Sequence, residues 1–462
     1  MALSELPPPL DDEAEGNEPP AMRAAPAGPM SRAWVQRLLT VDAPWTEARR
    51  ARRAAVSGRD ESPIVLVSAR GSNLVDIDGN RYVDFAGGFG AALVGHGNAR
   101  IARAIEFQSS RLVFGLGDVF PSDAKVALTE RLSRLFPEPG ARVMLGSSGA
   151  DAIDAALKTA LLATGRPGVV AFEGGYHGLT TGPLAVNGLR PEHRRPFAAM
   201  ISPHARFAPY PHGDAEPSLT EVERLCLAEP IGAIVVEPIL GRGGVVVPPS
   251  DFLAELRSIA DRRGALLIVD EIWTGLGRSG SILRSVADGA RPDIVCLGKG
   301  LGGGLPMSAC IGKASVMEAW RRPSTTTGEA EDQPHGEAIH TATHFGNPVA
   351  CASAIALLDL VVGQKLDERA RDEGERFAEC LRDALAPHGL REVRGAGLMV
   401  GVHFEGGPPR VLRLVRDLLA SGYVTLTGGA GDVLTLTPPL TMARALLDSF
   451  VAKLAECAAK NP

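Results

Sequence analysis

The residue with the most unusual setting in the sequence is Lys299, which ends the segment DIVCLGK and is followed at once by the glycines of GLGGGLP. The apolar run predicts a buried strand, and a lysine at its end is costly unless its charge is lost or its amine is used. Burial makes an amine a nucleophile towards a carbonyl carbon, and glycines let a bulky cofactor approach the backbone. The alternative is a lysine that only extends from the strand end into water.

A second candidate is Asp270, which with Glu271 ends the apolar run ALLIVDE. An acid at the carboxyl end of a parallel strand lies at the crevice where α/β proteins bind ligands. A carboxylate facing a pyridine nitrogen would keep that nitrogen protonated, so that the ring can absorb electrons. Helix capping or a metal-binding pair are the alternatives. The ten histidines are scattered and form no HExxH motif, so no metal site is predicted.

A third candidate is the segment VMLGSSGADAIDAALKTA, in which Ser148 and Gly149 separate a predicted strand from an amphipathic helix. The free N–H groups of a helix's first turn and the helix dipole form an anion site, and small residues permit the close approach of a phosphate. A simple helix cap explains the same residues.

These residues are positioned by strands that alternate with helices, which predicts a large α/β domain with a mostly parallel sheet and a smaller α+β domain. We assign residues 31–85 to an N-terminal segment of the small domain, 86–345 to the large domain and 346–462 to the rest of the small domain. The predicted strands of the large domain are 142–147, 168–173, 198–204, 231–238, 265–271, 293–299 and 307–312.

Composition narrows the class of protein. The net charge of −6 is too mild to indicate nucleic acid or an anionic membrane as a partner, and no apolar run approaches the ~18 residues that span a bilayer. Six cysteines without a CxxC favour buried free thiols and a cytoplasmic enzyme. Residues 1 to about 30 are acidic and proline-rich and are predicted to be disordered, with Met30 as a possible natural start.

The three segments occur in the order phosphate loop, acid, lysine, and in this order the sequence resembles the class III (ω-amino acid type) aminotransferases of the aspartate aminotransferase superfamily. The resemblance covers roughly residues 60–445. Its motifs are GGFGAALVGH, SSGADAIDAALK, FEGGYHG, VVEPILGRGG, IVDEIWTGLGRSG, PDIVCLGKGLGGGLP, THFGNP, VRGAGLMVGV and TLTPPL. It implies the fold of the pyridoxal 5′-phosphate-dependent transferases and pyridoxal 5′-phosphate as cofactor.

Roles around the cofactor ring follow from the resemblance. Lys299 is expected to form the Schiff base and to move the proton during transfer, and Asp270 to pair with the pyridine nitrogen. Ile272 is expected to pack against one face of the ring and Tyr176 against the other, with His177 beside Tyr176.

The resemblance also implies residues for the cofactor phosphate. Ser148, Gly149 and Ala150 are expected to hold it, and Thr343 of THFGNP to reach the phosphate of a partner subunit. The enzyme is therefore expected to be a homodimer with shared active sites.

For the substrate, the resemblance implies that Arg394 grips a carboxylate and that Glu237 pairs with an arginine when a substrate end lacks a carboxylate. Three positions depart from the family pattern. Ala150 stands where a hydroxyl residue is common, Trp273 replaces a common glutamine, and Arg242 occupies a place often held by an acid or a small residue. Trp273 and Arg242 are expected to narrow or recharge the substrate pocket.

The function implied is ping-pong transfer of an amino group from a donor, such as an ω-amino acid or glutamate, to an oxo acid or aldehyde. Racemases or epimerases, aminomutases and decarboxylases of the same family share the first chemical step and remain alternatives. A non-catalytic cofactor-binding protein is a further alternative, against which the presence of both Lys299 and Asp270 argues.

Overall fold

The computed structural model describes residues 16–321 and 339–461, whose Cα positions form two compact units. The smaller unit is discontinuous and comprises residues 16–99, 278–280 and 365–461. The larger unit comprises the described residues of 100–277 and 281–364. The chain passes between the units after Ala99 and after Gln364, so the boundaries differ from those expected near residues 86 and 346.

The helices and strands are numbered in chain order over the described residues. The α-helices are α1 (Pro29–Leu39), α2 (Trp45–Ser57), α3 (Ala99–Arg111), α4 (Asp123–Leu135), α5 (Gly149–Thr164), α6 (Thr181–Ala185), α7 (Pro191–Arg194), α8 (Glu216–Ala228), α9 (Phe252–Arg263), α10 (Arg284–Ala287), α11 (Ala314–Met317), α12 (Pro348–Gly363), α13 (Leu366–Leu385), α14 (Gly407–Ala420) and α15 (Arg444–Lys460). The strands are β1 (Leu66–Arg70), β2 (Asn73–Asp76), β3 (Arg81–Asp84), β4 (Arg142–Gly146), β5 (Gly168–Phe172), β6 (Ala205–Ala208), β7 (Ile231–Val236), β8 (Leu266–Asp270), β9 (Ile294–Leu297), β10 (Ser308–Gly312), β11 (Leu390–Ala396), β12 (Met399–Phe404), β13 (Tyr423–Val424), β14 (Leu426–Gly428) and β15 (Val433–Leu436).

The larger unit is built on a seven-stranded sheet of order β4-β10-β9-β8-β7-β5-β6. Strands β9, β8, β7, β5 and β6 are mutually parallel, and β10 runs antiparallel to both of its neighbours. Successive residues of β7 point to opposite faces of the sheet. Ile234 packs in an apolar cluster with α8 and α9, and Val235 packs in another cluster with α5. Helices therefore cover both faces, which explains why the central strands are apolar throughout and confirms the predicted α/β class.

One predicted strand is misplaced. The apolar stretch 198–204 is not a strand, and β6 instead begins at Ala205, where it pairs in parallel with β5. Ala198, Ala199 and Met200 are exposed, so this run has no sheet or helix to pack against. Hydrophobicity alone did not distinguish this exposed turn from the short strand that follows it.

The smaller unit contains two four-stranded sheets, of order β1-β2-β3-β13 and β11-β12-β15-β14. The first contains a hairpin, since β2 and β3 are antiparallel and the turn between them contains Gly79 at φ 81°. The second is antiparallel throughout. The aromatic rings of Phe85 and Phe450 stack at 3.9 Å in the core of this unit. The predicted α+β character of the smaller unit follows from these sheets and helices.

Residues 16–28 belong to the tail for which the sequence predicts disorder, but some of them make specific hydrogen bonds in the structure, while residues 1–15 lie outside the described residues. Asn73 and Asn80 are fully buried in the smaller unit. The Asn73 side chain bonds the backbone of Glu18, and the Asn80 side-chain oxygen accepts the N–H groups of Arg23 and Ala24. These hydrogen bonds help to fix the segment, and composition does not reveal them.

Helix α12 belongs to the larger unit, although its sequence was assigned to the C-terminal domain. It packs against α4 and against the 3₁₀ turn Lys299–Gly302, where Ser353 donates a 2.7 Å hydrogen bond to the carbonyl of Gly302. Among the described residues no single helix has the length and apolarity to cross a membrane, although α12 and α13 pass that test when they are counted as one bent pair.

Candidate active site

Lys299 follows the carboxyl end of β9 and begins a 3₁₀ turn. Its φ of 39° is in the left-handed region, which is uncommon for a residue with a side chain. Burial lowers the pKa of its amine to about 8, although the negative charges of Asp270 and Glu237 oppose that change. A far larger share of this amine than of an ordinary lysine is therefore unprotonated near neutral pH and able to act as a nucleophile.

Asp270 ends β8, the strand beside β9, and only 4% of the residue is exposed. Its Oδ2 lies 2.7 Å from Nδ1 of the buried His177, and its Oδ1 accepts the N–H of Ile272 at 3.0 Å. Burial lowers the pKa of His177, but the hydrogen bond and charge of Asp270, with the charge of Glu237, raise the pKa above its ordinary value overall. The fold thus holds the Asp270 carboxylate in one orientation beside the positively polarised imidazole of His177.

Helix α5 begins with a capping box. Ser148 Oγ accepts the N–H of Asp151 at 3.3 Å, and Asp151 Oδ2 accepts the N–H groups of Ser147 and Ser148 at 3.0 and 2.8 Å. The N–H groups of Gly149 and Ala150 in the first turn have no acceptor within the helix. The first turn of α5 therefore presents two backbone donors and the positive end of the helix dipole.

Ile272 contacts the start of α5 and the residue before Lys299. A Cβ at Gly149 would lie 2.8 Å from Ile272 Cδ1, and a Cβ at Gly298 would lie 3.1 Å from Ile272 Cγ2. A methyl group on either glycine would force Ile272 to move. These glycines let the first turn of α5, the end of β8 and the residue before Lys299 approach one another around Ile272.

Glu237 follows β7 and is 6% exposed. Its Oε1 accepts the N–H of Tyr176 at 2.8 Å, and its Oε2 accepts the N–H of Gly241 at 3.0 Å. Burial raises the pKa of Glu237 to about 7, although the positive charge of His177 opposes the increase. In this structure the carboxylate joins two loops of the site, a role that the sequence did not predict.

Trp273 and Arg242 both lie next to residues of this site. Lys299 Nζ lies 4.3 Å from the centre of the Trp273 ring, and the Arg242 guanidinium lies 4.5 Å from the centre of the Tyr176 ring. Trp273 is 8% exposed, and its Nε1 has no hydrogen-bond partner within residues 16–321 and 339–461. A Cβ at Gly241 would lie 2.3 Å from the Trp273 ring, so the glycine makes room for the indole.

Two further predicted site residues are Thr343 and Arg394. Thr343 is exposed and lines a small depression that also includes Phe114, Phe120 and Phe345. Arg394 lies on β11 of the smaller unit, where its Nη1 bonds Glu392 Oε2 at 2.9 Å.

A family model described as aminotransferase class-III matches residues 55–458, which is most of the chain. The chain belongs to the class-III aminotransferases. An acetylornithine aminotransferase from Methanopyrus kandleri is 34% identical over 394 residues, which are 85% of this chain and 94% of that protein. A 5-aminovalerate aminotransferase from Pseudomonas putida is 33% identical over 414 residues, which are 86% of this chain and 94% of that protein.

Solved structures agree with this assignment. An amine transaminase from an uncultivated Pseudomonas species in its pyridoxal phosphate-bound form superposes with a TM-score of 0.80 at 29% identity, covering 88% of this chain and 96% of that chain. The ornithine aminotransferase of Toxoplasma gondii superposes with a TM-score of 0.77 at 28% identity, covering 93% of this chain and 97% of that chain. This class-III aminotransferase therefore has the fold of the pyridoxal phosphate-dependent transferases, uses that cofactor and catalyses amino-group transfer.

The residues present fit pyridoxal 5′-phosphate. The amine of Lys299 has the lowered pKa that suits attack on an aldehyde. The free first-turn N–H groups of Gly149 and Ala150 suit a phosphate, and the buried Nε1 of Trp273 is a donor that still lacks an acceptor among the described residues. The donor set therefore matches an aldehyde, an anion and a further polar group in one ligand.

Sequence reasoning missed three contacts of this class-III aminotransferase. The bond from His177 to Asp270 joins residues far apart in the chain, and no local pattern indicates it. The two backbone bonds of Glu237 are equally non-local. The Asp151 cap was detectable, since an acid three residues after a serine at a predicted helix start is the usual signature of a capping box.

Proposed function

We propose that Lys299 and Asp270 are the catalytic residues of this aminotransferase. The observation that supports them best is the pairing of an amine with a pKa of about 8 and a buried carboxylate locked by His177, at the ends of adjacent parallel strands. In this proposal the amine of Lys299 would hold the cofactor through the cofactor's aldehyde group. When bound, pyridoxal 5′-phosphate supplies the electron sink that accepts the electron pair left by a departing proton.

The remaining residues hold the cofactor. We assign the phosphate to the first turn of α5, with Ser148 as the cap and the N–H groups of Gly149 and Ala150 as donors. Ile272 and Tyr176 would pack against opposite faces of the ring. Asp270 would hold a proton on the ring nitrogen, and His177 would keep the Asp270 carboxylate facing it.

Lys299 also moves the proton in this proposal. With the cofactor bound, Nζ would be the base that takes the proton from the substrate carbon that carries the amino group, and the acid that returns it. The lowered pKa allows the free amine to act as a base near neutral pH. The same residue then serves the second half-reaction with an oxo acid, which gives ping-pong kinetics.

For the substrate, we infer an amino donor that carries a primary amine and a carboxylate. The named relatives act on acetylornithine, 5-aminovalerate and ornithine, which share these two groups. Arg394 is proposed to bind the carboxylate as a bidentate partner. Glu237 is proposed to pair with an arginine when a substrate end lacks a carboxylate.

We further propose a homodimer with shared sites. Between residues 107 and 120 the surface exposes seven large apolar side chains, and such patches usually mark interfaces. Thr341 Oγ1 and Asn347 Nδ2, which flank Thr343 in the chain, bond Asp118 and the carbonyl of Val113, so Thr343 is held beside this surface. If a partner subunit packs on this surface, Thr343 would lie near the phosphate of the cofactor that the partner subunit binds. The free buried thiols, among them Cys296 and Cys310, support a cytoplasmic location.

The test is Lys299→Ala, with Lys158→Ala as a matched control. Lys158 is a partly exposed lysine of α5 whose ion pair with Asp154 is worth little. Reduction with borohydride in the presence of the cofactor should label a peptide containing residue 299 in the wild type and in the control but not in Lys299→Ala. Turnover should fall by at least about a thousandfold in that variant only.

The variant Asp270→Asn distinguishes the role of the carboxylate from the role of Lys299. The amide keeps the shape but cannot hold a proton on the ring nitrogen, so the half-reaction with an amino donor should slow by about two orders of magnitude or more while reductive labelling at Lys299 persists. Full activity in Lys299→Ala, or a mild effect in Asp270→Asn, would contradict the assignment.

A further inference from the structure

The amine of Lys299 lies against an aromatic ring. Its Nζ is 4.3 Å from the centre of the Trp273 ring, which is within the range at which a cation is attracted to the face of an indole. Within residues 16–321 and 339–461, Nζ forms no hydrogen bond and no ion pair. The attractive contact that these residues offer to the amine is therefore the face of Trp273.

Charged groups lie around the amine without bonding it. Burial lowers the pKa of Lys299 to about 8, the negative charges of Asp270 and Glu237 oppose this change, and the positive charge of Arg242 adds to it. Both acids have hydrogen-bond partners of their own. Asp270 bonds the ring of His177, and Glu237 accepts two backbone N–H groups. Neither acid is therefore placed as an ion-pair partner for the ammonium.

The Trp273 ring is held in one position. It is buried, and a Cβ at Gly241 would lie 2.3 Å from one of its carbon atoms, so the ring fits closely against this glycine. The hydroxyl of Thr274, the next residue in the chain, donates a 2.5 Å hydrogen bond to the buried Glu271. The ring therefore has little freedom to turn away from the amine.

An aromatic face suits a group that must change its charge. A carboxylate in hydrogen-bond contact would favour the ammonium strongly and would hold its proton. The face of an indole attracts the ammonium more weakly and makes no demand on a particular N–H. A lysine beside such a ring is thus kept in place while its proton can still leave.

We propose that Trp273 is a positioning residue for Lys299, and that its ring face holds the charged amine by a cation–π contact from which the proton can still be released. The inference rests on the proposed function, because the amine that Trp273 positions is the one assigned to the cofactor and to proton transfer. It gives Trp273 a role beyond that of narrowing the substrate pocket.

A packing role alone predicts a different result. If Trp273 only fills the space beside Gly241, two smaller apolar residues of similar volume should have the same effect on Lys299. Phenylalanine and leucine have similar volumes, and both lack the indole N–H, but only phenylalanine has an aromatic face. Comparison of Trp273→Phe with Trp273→Leu therefore isolates the contribution of the face.

The experiment measures the pH at which the Lys299 amine titrates in the full-length, cofactor-free enzyme. The protein is trace-labelled with acetic anhydride at a series of pH values, and mass spectrometry quantifies the acetylated peptide that contains residue 299. Because only the unprotonated amine reacts, the midpoint belongs to this lysine.

Trp320→Leu is the matched control. Trp320 is a half-buried tryptophan of the larger unit whose Nε1 donates to Thr159 at 2.9 Å. Thermal unfolding of every variant is recorded first, so that a loss of folded protein is seen separately from a change in titration.

The midpoint of Trp273→Leu should lie below that of Trp273→Phe by roughly half a pH unit or more, since loss of the aromatic face disfavours the charged amine. Trp320→Leu should match the wild type. Equal midpoints in the two Trp273 variants, or a higher midpoint in Trp273→Leu, would overturn the inference. Failure of the proposed function would appear instead as absent reductive labelling at Lys299 in the wild type, and it would leave these midpoints unchanged because they are measured without the cofactor.

Discussion

Glu237 shows at the residue scale how the fold changes an ordinary side chain. The carboxylate is buried and receives one backbone N–H from each of two loops, those of Tyr176 and Gly241. Its pKa is raised to about 7, first because of burial and then because of the nearby charge of Asp270. The native protein therefore keeps a proton on Glu237 at pH values where the unfolded chain has released it.

This difference gives Glu237 a pH signature. Since the native state binds more protons than the unfolded state between about pH 4.5 and 7, the contribution of Glu237 to stability falls as the pH rises through that window. The free energy of unfolding of the wild type, minus that of Glu237→Gln, should decrease by up to about 1.4 kcal/mol per pH unit there. Chemical unfolding of both proteins at several pH values measures this. A difference that rises with pH would show that the native carboxylate is the favoured form.

At the element scale, the first turn of α5 links stability to the proposed phosphate site. The Asp151 carboxylate occupies the N–H groups of Ser147 and Ser148, which leaves those of Gly149 and Ala150 for a ligand. The cap therefore selects which backbone donors are available. A helix of the same sequence without this acid would offer four competing donors.

Asp151→Ala should destabilise the protein by about 1–2 kcal/mol, because two hydrogen bonds to a carboxylate at a helix start are lost. Asp154→Ala is the control, since it removes the same charge from the same helix but breaks mainly a surface pair with Lys158. Thermal unfolding of both cofactor-free variants measures the effect. Equal unfolding temperatures would mean that the capping box carries little energy.

At the scale of the whole molecule, the exposed apolar surface at residues 107–120 supports a dimer. The double change Val119→Asp and Phe120→Asp should shift the enzyme towards monomer, because both side chains are more than 60% exposed and a charge there would be buried on association. Sedimentation measures the mass, and Leu227→Asp, on the exposed side of α8, is the control. A variant with the sedimentation behaviour of the wild type would place the interface elsewhere.

Local patterns predicted much of this molecule. The apolar runs before Asp270 and Lys299 predicted buried strands, and β8 and β9 lie there. Local patterns did not predict the contacts between residues that are far apart in the chain, such as the pairing of His177 with Asp270. The apolar stretch 198–204 was mistaken for a strand because hydrophobicity is similar for an exposed turn and a buried edge.

Residues 16–28 limit where the chain can be shortened or joined to an affinity tag. Translation from Met30 would remove the backbone N–H groups that donate to the side-chain oxygens of Asn73 and Asn80, although its new ammonium group would face the Asp78 carboxylate that now accepts the Met30 N–H at 2.8 Å. The initiation codon used in a laboratory gene therefore decides whether the side-chain oxygens of these two fully buried residues keep their backbone donors, while the Nδ2 groups keep their bonds to Asp76 and Tyr82. An affinity tag belongs upstream of Gly16.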